Sequence, residues 1–409
     1  MSSRVAVVLS GAAARGAFQA GALEVILPAL EAQGHTPTIF IGTSAGAINA
    51  ALWGQSAHLG YKAAGAQVVD TWSTMGREDV IAHPLRTLLL SGTPAFLSSS
   101  LGLGNGVTSI FDTSALADTA AEVLDGEQLA ANVRDGTIDA VGVVATRLPP
   151  PGAEPTSQAP AHARTVVFLD STLDTAAVAD PVRGVDVAVG PVRPEHVLAS
   201  AAIPIAFPPV RIEEPAPFRG WYSDGGVRLN TPLRPAVALE ADRILVVSAM
   251  STGADGPPQP PDEIGDTPTI ADTGAAVLHS VLADQITEDL HTLRSINLRL
   301  ARAATPEGVP GESDVEPGHR TIPVMVVSPS PGELGLLAEQ CATRGRGPLG
   351  LWRSSDLYAL NHLLRGLGDG PGRRELLSYV MFDESYFTAQ IALGAAAAER
   401  ALRDGWQLG

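Results

Sequence analysis

The stretch Thr38-Ile39-Phe40-Ile41-Gly42-Thr43-Ser44-Ala45-Gly46 decides the fold of this chain. Its first four residues favour a short buried strand, and residues 45–53 predict a helix. A serine at such a strand-to-helix turn is a nucleophile elbow, because glycines two residues to either side let the backbone turn sharply and expose the hydroxyl. The string also fits an ordinary helix start with Thr43 or Ser44 as the N-cap. The pentapeptide alone leaves both interpretations open.

A second small-residue loop lies near the N-terminus. The apolar run Val5-Ala6-Val7-Val8-Leu9 predicts a buried strand, and Ser10-Gly11-Ala12-Ala13-Ala14-Arg15-Gly16 connects it to a helix over residues 17–30. Backbone N–H groups at such a junction suit an anion or an oxyanion. A phosphate loop would need Lys-Ser/Thr after Gly16, and a dinucleotide fingerprint would need glycine at Ala13. Two interpretations of this loop remain, an oxyanion hole and a plain tight turn without a ligand.

The third motif is Ser223-Asp224-Gly225-Gly226. An aspartate before two glycines sits where the backbone turns abruptly, and such a turn can aim the carboxylate at a fixed point. Taken alone, Asp-Gly-Gly is most often an ordinary turn. Together with the other two motifs, it carries more weight than it does alone.

In this order, the three motifs resemble those of the patatin-like phospholipase family. That family has a glycine-rich loop with a basic residue before its last glycine, then G-x-S-x-G, then Asp-Gly-Gly or Asp-Gly-Ala. Three further stretches also resemble sequences of that family: Ala199-Ser200-Ala201-Ala202-Ile203-Pro204, Phe207-Pro208-Pro209 and Tyr379-Val380-Met381-Phe382-Asp383. The resemblance runs from about residue 4 to about residue 402. One departure is that the family usually has three glycines where this chain has Gly11-Ala12-Ala13.

The resemblance implies a hydrolase that cleaves carboxylic esters of phospholipids or other acyl lipids through a Ser–Asp dyad. Ser44 would be the nucleophile and Asp224 the base, with their side chains within or just beyond hydrogen-bond reach. No metal or organic cofactor would be needed. The backbone N–H groups expected to form the oxyanion hole are those of Gly11, Ala12 and Ala13. The supporting residues are expected to be Arg15, Gly16, Gly42, Gly46, Gly225 and Gly226.

Both alanines of the oxyanion loop are expected to keep negative φ, because alanine tolerates positive φ poorly. Two functions other than hydrolysis also fit the sequence. The same acyl-serine could pass its acyl group to another acceptor, which would make the protein an acyltransferase. The chain could instead be a non-catalytic or nucleotide-binding module.

A catalytic histidine is the main alternative to the dyad. In an ordinary α/β-hydrolase several strands precede the elbow and the triad runs Ser, Asp or Glu, then His. Here a single clear strand precedes Ser44. The histidines that follow Asp224 are His279, His291, His319 and His362. The first two fall in a helical stretch and His319 follows a Pro/Gly/acid-rich loop, so a surface or structural role is favoured for them.

The amino-acid composition restricts the classes of binding partner expected for this protein. The net charge is −17 and Lys62 is the single lysine, which argues against nucleic acid and against polybasic membrane anchoring. Transient contact with a membrane or micelle surface stays open, as does the oligomeric state. Cys341 is the single cysteine, so no internal disulfide or cysteine-based metal site is expected. No targeting or membrane-spanning segment is evident, which favours a cytoplasmic location.

The remaining sequence alternates between strand and helix patterns and predicts an α/β fold, a three-layer α/β/α sandwich with a mostly parallel central sheet. Strands are predicted near 5–9, 38–41, 138–145, 164–169, 244–249 and 322–328. We expect one domain, residues 1–409, with a catalytic core over 1–330 and a C-terminal helical extension over 331–409. Within the core lie a candidate lid at 87–111, a Pro/Ala-rich loop at 148–160, and a Pro-rich loop plus long helix over 251–303. The segment 87–111 could be a lid or an acyl-binding wall, but an ordinary helix and loop packed on the core is slightly favoured.

Overall fold

The computed structural model describes residues 3–76, 80, 114–150, 163–252, 267–282, 284–303, 320–344, 364–366 and 368–408. The candidate lid at 87–111, nearly all of the 148–160 loop, and His319 and His362 lie outside the described residues. So does the loop over 253–266.

Nine strands form one sheet in the described part of the chain. They are β1 (Ser3–Leu9), β2 (His35–Thr43), β3 (Ala140–Arg147), β4 (Arg164–Ser171), β5 (Val185–Val189), β6 (Val210–Ile212), β7 (Gly220–Asp224), β8 (Arg243–Val247) and β9 (Val324–Val327). The order is β5-β4-β3-β2-β1-β8-β9, with β7 paired to β3 and β6 paired to β7. Strands β3, β2, β1, β8 and β9 run parallel, whereas β4 and β7 are antiparallel to β3.

The described helices cover both faces of the sheet. They are α1 (Gly16–Ala32), α2 (Ala45–Ser56), α3 (Tyr61–Thr74), α4 (Ser114–Val123), α5 (Gly126–Arg134), α6 (Pro194–Ser200), α7 (Leu233–Ala238), α8 (Ile270–Leu282), α9 (Asp284–Ala303), α10 (Glu333–Arg344), α11 (Pro371–Val380) and α12 (Glu384–Asp404). Alternate residues of β1 belong to two different core clusters, one on each side of the sheet. The predicted α/β sandwich with a mostly parallel sheet is therefore confirmed.

The central strands were the predictable ones. All six predicted strands are present, because burial on both faces makes their sequences continuous apolar runs. Sequence analysis missed β5, β6 and β7. Strand β5 is partly exposed at the sheet edge, and β7 has the mixed sequence Gly-Trp-Tyr-Ser-Asp.

The helical stretch expected up to residue 303 is present as α8 and α9, on either side of residue 283, which lies outside the described residues. The Asn230 side chain donates a hydrogen bond to the Leu282 carbonyl of α8 at 2.8 Å. None of the described helices combines the length and apolar character needed to cross a bilayer.

The C-terminal helix α12 packs directly on α1. The Gln390 amide donates to the Ala14 carbonyl at 2.8 Å, and its side-chain oxygen accepts from the Phe18 N–H at 3.3 Å. Phe387 is fully buried in the main core cluster. Residues near the two ends of the described chain therefore share one core.

Candidate active site

Ser44 stands between β2 and α2 in a conformation that non-glycine residues rarely adopt. Its φ is 56° and its ψ is −126°. A positive φ at such a residue is strained, and strain of this kind concentrates at functional turns. The Ser44 side chain makes no cap hydrogen bond to α2, and the Thr43 hydroxyl donates to the Leu229 carbonyl at 2.9 Å instead. Neither hydroxyl is used as a helix cap.

Gly42 and Gly46 fit this turn because they have no side chain. Neither has a positive φ. A Cβ on Gly42 would lie 2.1 Å from the Gly46 carbonyl oxygen, and one on Gly46 would lie 2.4 Å from the Leu9 carbonyl oxygen. The sharp turn is thus concentrated at Ser44, while the flanking glycines permit close packing of the backbone.

Asp224 ends β7 and faces Ser44. The pairing of β7 with β3 places Asp224 beside Ala145, at the carboxyl edge of the parallel strands. The Ser44 side chain lies close enough to the Asp224 carboxylate to lower its pKa, and the Gly226 N–H donates to its Oδ1 at 2.6 Å. Both Ser44 and Asp224 are 5% exposed. Two side chains that are distant in sequence therefore lie in direct contact, as expected.

Burial changes the basicity of this carboxylate. It raises the pKa of Asp224 to about 6, while the hydrogen bonds from Ser44 and Gly226 act in the opposite direction. An aspartate with this pKa is mostly ionised at neutral pH and accepts a proton more readily than an ordinary one.

Residues 200–202 form hydrogen bonds that hold the backbone of Ser44 and the backbone of Asp224 in place. The Ser44 N–H donates to the Ser200 hydroxyl at 2.8 Å, and that hydroxyl donates to the Val144 carbonyl at 2.5 Å. The Asp224 N–H donates to the Ala202 carbonyl at 2.8 Å. Sequence analysis noted this stretch as a motif but did not predict that Ser200 would contact the elbow.

The loop after β1 passes over Ser44, and two expectations about it are wrong. A Cβ on Gly11 would lie 3.3 Å from the Ser44 Cβ. The Gly11 N–H donates to the Asn230 carbonyl at 3.0 Å, so it is not free to bind an oxyanion. Ala13 has a φ of 48°, contrary to the negative φ expected, whereas Ala12 keeps a φ of −145°.

Two candidate oxyanion donors remain in this loop. Among the residues that the structure describes, none accepts a hydrogen bond from the N–H of Ala12 or Ala13. The set expected from the sequence is thereby reduced from three groups to two.

A family model described as Patatin-like phospholipase matches residues 7–237. The match includes the Gly11 loop, the Ser44 elbow and the Asp224 turn, and it covers more than half of the chain. This chain belongs to the patatin-like phospholipase family. The family acts on lipid acyl substrates as hydrolases. The sequence finds no match among curated proteins.

Arg15 connects the loop of this patatin-like protein to α11. The side chain is 3% exposed and pairs with Glu375 at 2.6 Å. It also donates to the Ser378 hydroxyl at 2.9 Å and stacks over the Tyr379 ring, 3.7 Å from its centroid. Its charge is thus neutralised within the fold, which supports the bracing role expected from the sequence.

Three further glycines of the site are also positions of close approach. A Cβ on Gly16 would lie 2.4 Å from the Trp72 ring, and one on Gly225 would lie 2.3 Å from the Val144 carbonyl oxygen. A Cβ on Gly226 would lie 2.9 Å from the Asn230 Oδ1. Larger residues at these positions would displace the backbone on which the dyad rests.

Asn230 is the site residue that sequence analysis missed. It is 1% exposed, and its backbone and side chain bind the Gly11 loop and the end of α8 respectively. Its buried Oδ1 has no hydrogen-bond partner in the described part of the chain. The sequence signal was weak, since Asn230 simply follows Asp-Gly-Gly by four residues in a short loop.

No described histidine hydrogen-bonds to Ser44 or Asp224. The described groups that act on the Asp224 carboxylate are the Ser44 side chain and the Gly226 N–H. His279 and His291 are exposed on α8 and α9. Among the described residues, no group of three or more His, Cys, Asp and Glu side chains could hold a metal ion.

Proposed function

We propose that this chain is a serine-dependent lipid acyl hydrolase with Ser44 as nucleophile and Asp224 as base. The observation that carries the proposal is that the Asp224 carboxylate lies beside the Ser44 side chain at a strained strand-to-helix turn. A nucleophile placed beside a base is the arrangement that acyl transfer requires.

In the acylation step, Asp224 takes the Ser44 hydroxyl proton as the oxygen attacks the ester carbonyl. The tetrahedral oxyanion is bound by the N–H groups of Ala12 and Ala13, the two that remain of the three donors expected from the sequence. The N-terminus of α2 begins at Ala45 and stabilises negative charge that develops near Ser44. Protonated Asp224 then supplies the proton that the leaving alcohol needs.

In the deacylation step, water replaces the departed alcohol. Asp224 takes one proton from this water as its oxygen attacks the acyl carbonyl, and the Ser44 oxygen leaves and recovers that proton. The products are a fatty acid and the free enzyme. Transfer to an alcohol or amine acceptor would use the same intermediate, so analysis of the products with and without acceptors separates hydrolase from acyltransferase.

A nucleotide-binding role has less support than hydrolysis. The Gly11 N–H is already bound to Asn230, and the Arg15 guanidinium is already paired with Glu375. A phosphate at this loop would have to compete with both contacts. Such a role would also leave the Ser44–Asp224 pair without a purpose.

The test combines phosphonate labelling with hydrolysis of phospholipids, glycerides and short acyl esters. Ser44→Ala is expected to abolish both labelling and hydrolysis, and Asp224→Asn to abolish turnover. The matched control is Asp170→Asn, because burial also raises the pKa of Asp170, which lies on β4 towards the other end of β3. This control is expected to stay active.

Single alanine variants of His279, His291, His319 and His362 are expected to retain most activity. A loss of about 10⁴ in kcat for one of them, without unfolding, would replace the dyad with a triad. Full labelling of Ser44→Ala would remove Ser44 as the nucleophile.

A further inference from the structure

Ile205 combines two features that rarely occur together. Its φ is 72°, and its side chain is 76% exposed. A β-branched residue with positive φ is a strained backbone outlier. Exposure means that no packing of the side chain against the protein offsets this strain.

The turn around Ile205 is firmly anchored on both sides. The Phe207 N–H donates to the Ile203 carbonyl at 2.8 Å. Phe207 is buried in the main core cluster, and Ile203 and Ala206 pack against the same cluster. Pro204 and Ile205 are left as the exposed tip, so the surrounding structure imposes the strained conformation.

This tip lies beside the dyad. The segment that precedes it binds Ser44 through Ser200 and Asp224 through Ala202. Ile205 is three residues beyond Ala202, which places its Cα at most about 11 Å away. Val227 follows Asp224 by three residues and is 47% exposed. Both segments that hold the dyad therefore continue into an exposed aliphatic side chain.

We propose that Ile205 is a specificity-determining residue that packs against the acyl chain of the bound ester. The proposal rests on the proposed hydrolase function and adds a substrate contact to it. An aliphatic side chain cannot bind a polar head group, so the acyl chain is the part of the substrate that it matches. Covering the exposed side chain with an acyl chain removes apolar surface from water on both partners.

The test compares p-nitrophenyl butanoate with p-nitrophenyl octanoate, both kept below their aggregation limits. Ile205→Asn is expected to lower kcat/KM for octanoate about tenfold and to leave butanoate within about twofold. Ile205→Leu keeps an aliphatic side chain and is expected to retain octanoate activity. The same Asn variant should raise Tm by about 1–3 °C, because asparagine tolerates positive φ.

Leu59→Asn is the matched control. Leu59 is 45% exposed and lies beyond the far end of α2, about 18 Å of helix away from Ser44. This change is expected to alter neither ester.

Three outcomes would overturn the proposal. Unchanged octanoate preference in Ile205→Asn would show that the side chain does not contact the acyl chain. Equal losses on both esters would indicate damage to the dyad. If the wild-type protein hydrolyses neither ester and resists phosphonate labelling, the proposed function itself fails, which is distinguishable because the wild-type chain alone reveals it.

Discussion

At the residue scale, backbone strain and the candidate active site coincide. The non-glycine residues with positive φ in the described part of the chain are Ala13, Ser44, Ile205 and Glu240. The first belongs to the loop over Ser44, and Ile205 lies on the turn that follows the Ser200 contact. Strain of this kind persists where surrounding contacts over-determine the backbone. Those contacts here are the hydrogen bonds to Asn230, Ser200 and Ile203.

The buried carboxylate of Asp224 gives a prediction with a definite sign. The pKa of about 6 in the folded state lies above that of an ordinary aspartate, so folding disfavours the ionised form. Below about pH 4 the carboxyl group is protonated in both the folded and the unfolded state, so its burial does not lower the free energy of unfolding. Between about pH 4 and pH 6 the burial lowers the free energy of unfolding progressively, and the loss then levels off at about 3 kcal/mol.

Asp224→Asn removes this loss, so it should raise Tm relative to wild type at pH 8 but hardly at pH 4. Below pH 6, the kcat/KM of the wild-type protein should fall about tenfold per pH unit, because the base becomes protonated. Thermal melts and ester hydrolysis across this pH range provide the check. A Tm difference that is the same at pH 4 and pH 8 would contradict the raised pKa.

Local sequence was sufficient to nominate Ser44 and Asp224, but not the state of the oxyanion loop. Spacing placed three N–H groups in that loop and gave no sign that one is occupied. The occupant is the carbonyl of Asn230, whose position depends on how the turn after Asp224 folds back on the loop. The positive φ of Ala13 likewise goes against the preference of alanine and could not be read from the local sequence.

At the scale of elements, the loop after β1 depends on α11. Arg15 reaches Glu375 and Ser378 of this helix, so the loop is held from outside the segment that the family model matches. Central strands could be predicted because double burial marks them in the sequence. This loop-to-helix contact could not, since single charged residues give no indication of distant partners.

Arg15→Met is expected to lower the free energy of unfolding by about 3 kcal/mol, since it leaves Glu375 and Ser378 without their partner. It should also lower kcat about tenfold or more by loosening the donors above Ser44. Urea unfolding gives the stability, and kcat is measured well below the transition so that all molecules are folded.

Arg164→Met provides the comparison for this change. Arg164 pairs with Asp186 at 2.6 Å, but both side chains are about one-third exposed. Its loss should cost about 1 kcal/mol or less and leave kcat unchanged. A folded Arg15→Met variant with wild-type kcat would show that the loop keeps its geometry without α11.

At the scale of the whole molecule, the two ends of the chain close over one core. The helices α1 and α12 approach so closely that a Cβ on Gly21 would lie 2.1 Å from the Ile391 carbonyl oxygen. Trp72 of α3 meets Phe387 of α12 edge to face, with ring centroids 5.5 Å apart. The C-terminal helix therefore contributes to the same core as the family-matched region and, through Gln390, holds the carbonyl of Ala14 in the loop.

Two glycine-to-alanine changes test this arrangement with opposite expected signs. A Cβ on Gly394 of α12 would lie 2.0 Å from the Phe18 carbonyl oxygen, so Gly394→Ala must push α12 away from α1. A destabilisation of about 1–3 kcal/mol or more is expected. On α8, the nearest atom to a Cβ on Gly274 is 3.9 Å away, so Gly274→Ala should stabilise by up to about 1 kcal/mol through helix propensity. Urea unfolding of both variants measures the signs, and stabilisation by Gly394→Ala would show that α12 is an appendage that the core does not need.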